Sequence, residues 1–212
     1  ESRGLGDVYK RQGLTMTCAA HVQAEGKGFP GQLGVFSDVH LEGLKRLAST
    51  IKMHGSAAIC QLHHAGMRSP KELIGQMPVC PSDNKKFKAR ALSLKEVETL
   101  RDDFIKAAVL SESAGFDGVE LHAAHGYILA QFLSPEINQR EDAYGQGLNN
   151  RCRLLYEIID GIRKECKKNF MIGVRLSPER FDMKLAVVII IAQELMTCLL
   201  YTSDAADDLL CV

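Results

Sequence analysis

The sequence lacks the marks of several protein classes. Its seven cysteines, at positions 18, 60, 80, 152, 166, 198 and 211, include no C-x-x-C pair, so no zinc ribbon and no thioredoxin-type redox motif is encoded. No basic head followed by an apolar core and a small-residue cleavage site opens the chain. Reduced thiols in a cytoplasmic protein are the expectation. Charge of one sign is not in surplus either, since 26 Lys and Arg balance 26 Asp and Glu. Such a chain throws no field that gathers phosphate backbones or anionic lipid, so nucleic acid and membranes are poor expected partners and small molecules better ones. No apolar run reaches the roughly 18 to 20 residues of a bilayer span. The longest, Leu185 to Leu200, contains Gln193 and Glu194 and reads as a buried helix. What is present, 212 residues of which 46% are hydrophobic, suffices for one globular unit.

The two ends differ from the middle. Positions 1–12 show neither helical nor strand period, and from Thr197 the run TCLLYTSDAADDLLCV breaks the preceding helix without a cap or turn signal. Both read as sequence foreign to the domain, the alternative being two ordinary disordered tails. The expected organisation is therefore a lead at 1–12, a partial barrel domain at 13–196 and a tail at 197–212.

Between those limits short apolar runs alternate with long amphipathic ones. Gly13 to Ala20 reads as a strand, and Asp38 to Met53 as a helix with Leu41, Leu44, Leu47, Ala48 and Ile51 on one face before Gly55. Ser56 to Leu62 is the next strand, and a polar loop with Pro70, Pro78 and Pro81 leads to Ser93 and Glu96. That pair has the spacing of a capping box. The helix it opens turns Val97, Leu100, Phe104, Ala107 and Ala108 inward and stops at Gly115. Phe116 to Leu121 is a third strand, a helix from Asn149 carries Leu154, Leu155, Ile158, Ile159 and Ile162, and Phe170 to Leu176 is a fourth strand.

Strand and helix alternate four times with no hairpin signal between apolar runs, which predicts parallel strands covered by helices. A doubly wound sheet would place a glycine-rich phosphate loop between its first strand and helix, whereas a (β/α)8 barrel places polar residues at the carboxyl ends of several strands. The second pattern is present. Gln61, His63 and His64 end the second strand, His122 and His125 the third, and Arg175 the fourth. The fold class expected is α/β, a partial (β/α)8 TIM barrel with about four of its eight βα units, lacking the first strand and the last several. Gly26-Lys-Gly28-Phe-Pro-Gly31 matches G-x-G-x-x-G, but Pro30 and the delayed helix start at Asp38 make it a loop rather than a dinucleotide fingerprint. His122 and His125 could be metal ligands, yet no H-E-x-x-H accompanies them.

The segment from Gly115 to Tyr127 (GFDGVELHAAHGY), continuing through Gln131 to Pro135, Asn138 to Arg140, Asp142 to Gly145 and Asn150 to Arg153, resembles the old yellow enzyme family of FMN-dependent NAD(P)H oxidoreductases. Gln61-Leu-His-His-Ala-Gly66 and Gly173-Val-Arg-Leu-Ser177 are similar to two further motifs of that family. The resemblance looks closest to the branch holding 2,4-dienoyl-CoA reductase, bile-acid-inducible reductases and bacterial ene-reductases, because His125 stands where other branches have Asn.

The resemblance implies an enzyme that reduces an activated C=C bond of a small molecule, with FMN as cofactor and NAD(P)H as reductant. It implies that Gln61 bonds the flavin pyrimidine edge, that Arg175 lies near flavin N1 and O2, and that Ala19 lets the isoalloxazine approach the backbone. His122 and His125 would grip the substrate carbonyl oxygen, and Tyr127 would protonate the α-carbon. Each role suits its group: a fixed cation meets charge on reduced flavin, imidazoles donate to an enolate-like oxygen, and a phenol is protonated at neutral pH. Longer members of the branch carry 4Fe-4S and FAD domains after the barrel; the resemblance leaves open whether a full-length parent of this chain has them, and whether it is a homo-oligomer. Tyr144-Gly-Gln-Gly147 and Met67, with Arg68 beside it, depart from the usual pattern, and the loops that hold the FMN phosphate have no counterpart. Cys18 is expected to be a core thiol. The alternatives kept are a metal-dependent (β/α)8 hydrolase using His63, His64, His122 and His125, and a fragment with no activity of its own.

Overall fold

The computed structural model describes residues 13–179 and 181–200, with side chains through position 197. The expected lead at 1–12 and most of the expected tail lie outside the described residues.

The first expected strand is two. β1 (Leu14–Met16) and β2 (Ala20–His21) both run parallel to β3 (Ala57–His63). Met16 is opposite Ile59 and Ala20 opposite Leu62, so the first chain spends one residue more than its partner between those pairs. This is the count of a β-bulge. Thr17 closes it, accepting Gln61 N–H on Oγ1 at 3.1 Å. The bulge also corrects the reading of Cys18, which is exposed rather than a core thiol, because the extra residue turns it out of the alternation.

A 3-10 turn (Asp38–His40) leads into α1 (Leu41–Lys52), which buries Leu44 and Ala48 while Leu47 stays 37% exposed at the edge of the expected face. The loop after β3 holds a short α2 (Lys71–Ile74) and a parallel pair, β4 (Val79–Cys80) with β5 (Arg90–Ala91). Two-residue strands carry no period, so no sequence pattern announced them. α3 (Leu94–Ser113) begins at the expected capping box, with Glu96 N–H on Ser93 Oγ and Ser93 N–H on the Glu96 carboxylate. Its five expected inward residues are all buried. β6 (Gly118–Ala123), α4 (Ile128–Leu133), α5 (Leu148–Glu165), β7 (Met171–Leu176) and α6 (Leu185–Leu200) complete the order. α6 runs through Thr197, where the sequence pattern predicts a break. Among the described residues no helix is long and apolar enough to cross a membrane.

The main sheet has the order β1–β3–β6–β7, with β2 also on β3, and every pairing is parallel. One face of β3 and β6 presents Cys60, Leu62, Val119 and Leu121, each 0% exposed, within the same apolar core as Phe104, Leu155 and Ile158 of the covering helices. The period of two puts Gln61, His63, Glu120 and His122 on the other face. Register then aligns them: Gln61 is opposite Glu120, and His122 opposite Arg175. The fold is the expected parallel α/β half-barrel, and its polar face gathers the candidate site.

Candidate active site

Gln61 and Arg175 meet at a residue the sequence reading passed over. Glu120, 9% exposed, receives Gln61 Nε2 at 2.5 Å and Arg175 Nε at 2.9 Å on the same Oε1. Glu120 is the one Asp, Glu, Lys or Arg of β6 and stands two positions before His122. The bridge holds an amide and a guanidinium side by side, and the Arg175 side chain keeps 45% of its surface open.

His122 and His125 come together across the turn after β6, with His122 Nε2 3.3 Å from His125 Nδ1. One nitrogen of that contact must donate and the other accept. His125 reaches this position at φ +57, the left-handed region that costs a residue with Cβ unless its surroundings hold it. They do. Its N–H donates to Ser177 Oγ at 3.0 Å and its carbonyl accepts Arg68 Nη1 at 2.5 Å. Gly126 follows at φ +72, where a Cβ would stand 2.2 Å from the Phe181 ring, so this turn requires glycine.

Tyr127 lies at the centre of an aromatic cluster. Its ring centroid is 4.3 Å from that of His63, 5.0 Å from His122 and 6.4 Å from His125, and the Arg68 guanidinium carbon is 5.2 Å away. Tyr127 is fixed as the residue that opens α4, where Gln131 N–H bonds its carbonyl at 2.8 Å. Gln131, 0% exposed, ties the two turns: Nε2 donates to Gly126 O and Ala65 O, and Oε1 accepts Met67 N–H. Ala19 stands in the bulge, and its carbonyl accepts Gln32 Nε2 at 2.9 Å. Glu120, Gln32, Gln131 and Arg68 thus join the six residues expected.

Burial controls the imidazoles. It pushes His122 down to about 4, with His125 and Arg175 adding to the effect. His63 falls to about 2, again first by burial and then by His122, His64, His21 and Arg68, and His64 to about 3 by burial. These three rings are neutral at physiological pH and act as hydrogen-bonding groups, not cations. The buried nitrogens His122 Nδ1 and His63 Nε2 have no hydrogen-bond partner. The metal-hydrolase alternative is not favoured: among the described residues no group of three or more His, Cys, Asp or Glu side chains could hold an ion. The Nδ1 atoms of His63 and His64 are engaged by Gln32 and by Gly66 N–H.

The family model described as NADH:flavin oxidoreductase / NADH oxidase matches residues 9–198. Over 178 residues the chain is 42% identical to the probable NADH-dependent flavin oxidoreductase YqiG of Bacillus subtilis, covering 80% of this chain and 48% of that one. The chain spans about half the length of the curated relatives it matches. Among solved structures it resembles the old yellow enzyme homologue of Zymomonas mobilis, with TM-score 0.80 and 30% identity over 93% of this chain and 61% of that one. It also resembles morphinone reductase in complex with tetrahydroNAD, with TM-score 0.79 and 27% identity over 89% and 60%.

Proposed function

The chain belongs to the NADH:flavin oxidoreductase / NADH oxidase family, and from that premise we propose that it carries the substrate half of an FMN-dependent NAD(P)H oxidoreductase that reduces an activated C=C bond. The observation that carries this reading is the convergence of Tyr127, His122 and His125 within 6.4 Å of one another, on the same sheet face as the Gln61–Glu120–Arg175 bridge.

That face suits a flavin. Gln61 offers an amide and Arg175 a cation, a pairing matched to the polar pyrimidine edge of the ring, where charge gathers on reduction. The His122 Nδ1 left without a partner marks a place where a ligand atom is wanted. Gln61 and Arg175 would hold the pyrimidine edge, with Ala19 leaving room beside the bulge. The chemistry that bound FMN would supply there is hydride transfer between NAD(P)H and the β-carbon of the alkene.

The chain's own residues do the rest. His122 and His125 together donate to the substrate carbonyl oxygen and hold the negative charge that develops on it. Tyr127 gives its phenolic proton to the α-carbon, and Arg68 keeps the phenol ring under a cation. An enal, enone or enoyl thioester has the required carbonyl. Placement within the bile-acid-inducible branch rests on His125 alone and is part of the same proposal.

Stopped-flow measurement of the two half-reactions tests the reading in a flavin-loaded protein containing this segment. Tyr127→Phe should leave reduction by NAD(P)H near its native rate and slow alkene reduction by about 10² to 10⁴, the usual worth of a positioned acid. An unchanged alkene rate would show that another group supplies the proton.

A further inference from the structure

The loop from Gly26 to Gly31 does not cradle phosphate, but it orients a side chain. Gln32 is 7% exposed, and two backbone groups of fixed sense set its amide. Gly28 N–H, which can only donate, lies 2.6 Å from Oε1, and the Ala19 carbonyl, which can only accept, lies 2.9 Å from Nε2. The amide nitrogen therefore also faces His63 Nδ1, 2.9 Å away. An amide NH2 has two hydrogens and no lone pair to offer. One hydrogen serves Ala19, so the other serves His63, and Nδ1 must be the acceptor.

A neutral imidazole that accepts at Nδ1 carries its proton on Nε2. His63 Nε2 is buried and has no oxygen, nitrogen or sulfur partner. Two rings neighbour His63: Tyr127, the nearer, with ring centroids 4.3 Å apart and planes at 79°, and His122, 5.6 Å away and tilted by 34°. In a T-shaped pair the polar edge of one ring meets the π face of the other. We propose that Gly28, Gln32 and His63 form a tautomer-setting relay that positions the Tyr127 ring, with His63 Nε2–H directed onto the phenol's π face. Gln32 is then the residue that decides which edge of His63 Tyr127 meets. The relay persists over the working pH range because burial holds His63 neutral far below its ordinary value. The Ala19 carbonyl belongs to the β-bulge, so the geometry of that bulge and the placement of Tyr127 are set by one amide.

The tautomer can be read in the chain itself, without flavin, from nitrogen–proton correlation spectra of the labelled 212-residue protein at neutral pH. His63 should carry its proton on Nε2, and the ring current of Tyr127 should shift that proton upfield. Tyr127→Leu should abolish the shift and keep the tautomer. Gln32→Leu should mix the tautomers and move the Tyr127 ring resonances, although Gln32 does not touch Tyr127. A proton on Nδ1, an imidazolium, or an Nε2 proton without the ring-current shift in the unsubstituted chain would overturn the proposal, whatever the fate of the Gln32 variant. The catalytic consequence rests on the reading of Tyr127 as the proton donor. In the flavin-loaded protein His63→Phe should slow alkene reduction about tenfold to hundredfold and spare reduction by NAD(P)H. A native alkene rate in His63→Phe would remove the positioning role. If instead Tyr127→Phe is silent while the spectra are as expected, the functional reading fails and the relay stands.

Discussion

Gln61 and Glu120 are directly opposite on β3 and β6, and the amide of the first donates to the carboxylate of the second at 2.5 Å. Arg175, one strand further, closes on the same oxygen at 2.9 Å. Glu120→Leu keeps most of the volume but leaves the Gln61 amide, on a residue 9% exposed, with only the weak acceptor Met16 Sδ at 3.8 Å. An orphaned buried donor costs about 1–3 kcal/mol. Urea unfolding should show a loss of that size for Glu120→Leu and a smaller one for Glu120→Gln, whose amide oxygen still accepts. Native stability in Glu120→Leu would mean that the bridge does not order this face.

Stability should fall as the solution is acidified, and histidines should begin the fall. Unfolded, each imidazole takes a proton near its ordinary value of 6.5; folded, burial holds His122 to about 4, His64 to about 3 and His63 to about 2. Below 6.5 the unfolded chain binds protons that the folded chain refuses, so protonation favours unfolding until the folded values are reached. Three such groups give up to about 4 kcal/mol per pH unit once the unfolded rings are charged. Glu96, held at about 2 chiefly by its hydrogen bond from Arg90, acts in the same direction but lower on the scale: its share is present above 4.5 and lost only below it. The interval from pH 6.5 to 4.5 therefore reports the histidines. Stability that is flat across it in urea titrations would contradict their burial as neutral rings.

The capping box supplies a purely local prediction. Ser93 Oγ accepts Glu96 N–H at 3.3 Å while the Glu96 carboxylate receives Ser93 N–H at 2.8 Å and Arg90 Nη2 at 2.7 Å. Ser93→Ala should cost about 1 kcal/mol, and Glu96→Ala should cost more, since it removes the Arg90 contact as well. Equal losses in thermal melts would show that the Arg90 pair, exposed as it is, adds nothing measurable.

The long elements were legible because their periods are. Val97, Leu100, Phe104, Ala107 and Ala108 announce one helical face, and all five are buried. The strand ends were legible through polar residues at the close of apolar runs, and these ends do converge. Features of two or three residues were not legible: the bulge at Thr17 to Ala19 depends on register with β3, which no local pattern encodes, and it took Cys18 out of the core. Glu120 was missed because a carboxylate in a strand reads as a surface residue until its partners on neighbouring strands are known. Gln32 was missed for a related reason, since its partners Ala19 and His63 are 13 and 31 positions away.

His125 sets two demands that a substitution series can separate. Its side chain must meet His122 at 3.3 Å, and its backbone must hold φ +57. Asn satisfies both, having a short donor and acceptor and tolerating the left-handed region better than other residues with a Cβ. Ala gives up the donor and accepts the backbone at some cost; Val gives up the donor and adds a β-branch where φ is positive. In the chain alone, His125→Asn should keep native stability within a few tenths of a kcal/mol, His125→Ala should lose modestly, and His125→Val should lose about 1–2 kcal/mol or more. Ligand binding divides the variants differently. A phenol-type or enone ligand, whose oxygen would take the donors of His122 and His125, should bind a flavin-loaded protein containing His125→Asn within about tenfold of native, and both His125→Ala and His125→Val far more weakly. Stability follows the backbone and affinity follows the donor. If Ala binds ligand as well as Asn does, the oxygen is not held by residue 125, and His122 with its unpartnered Nδ1 must hold it alone.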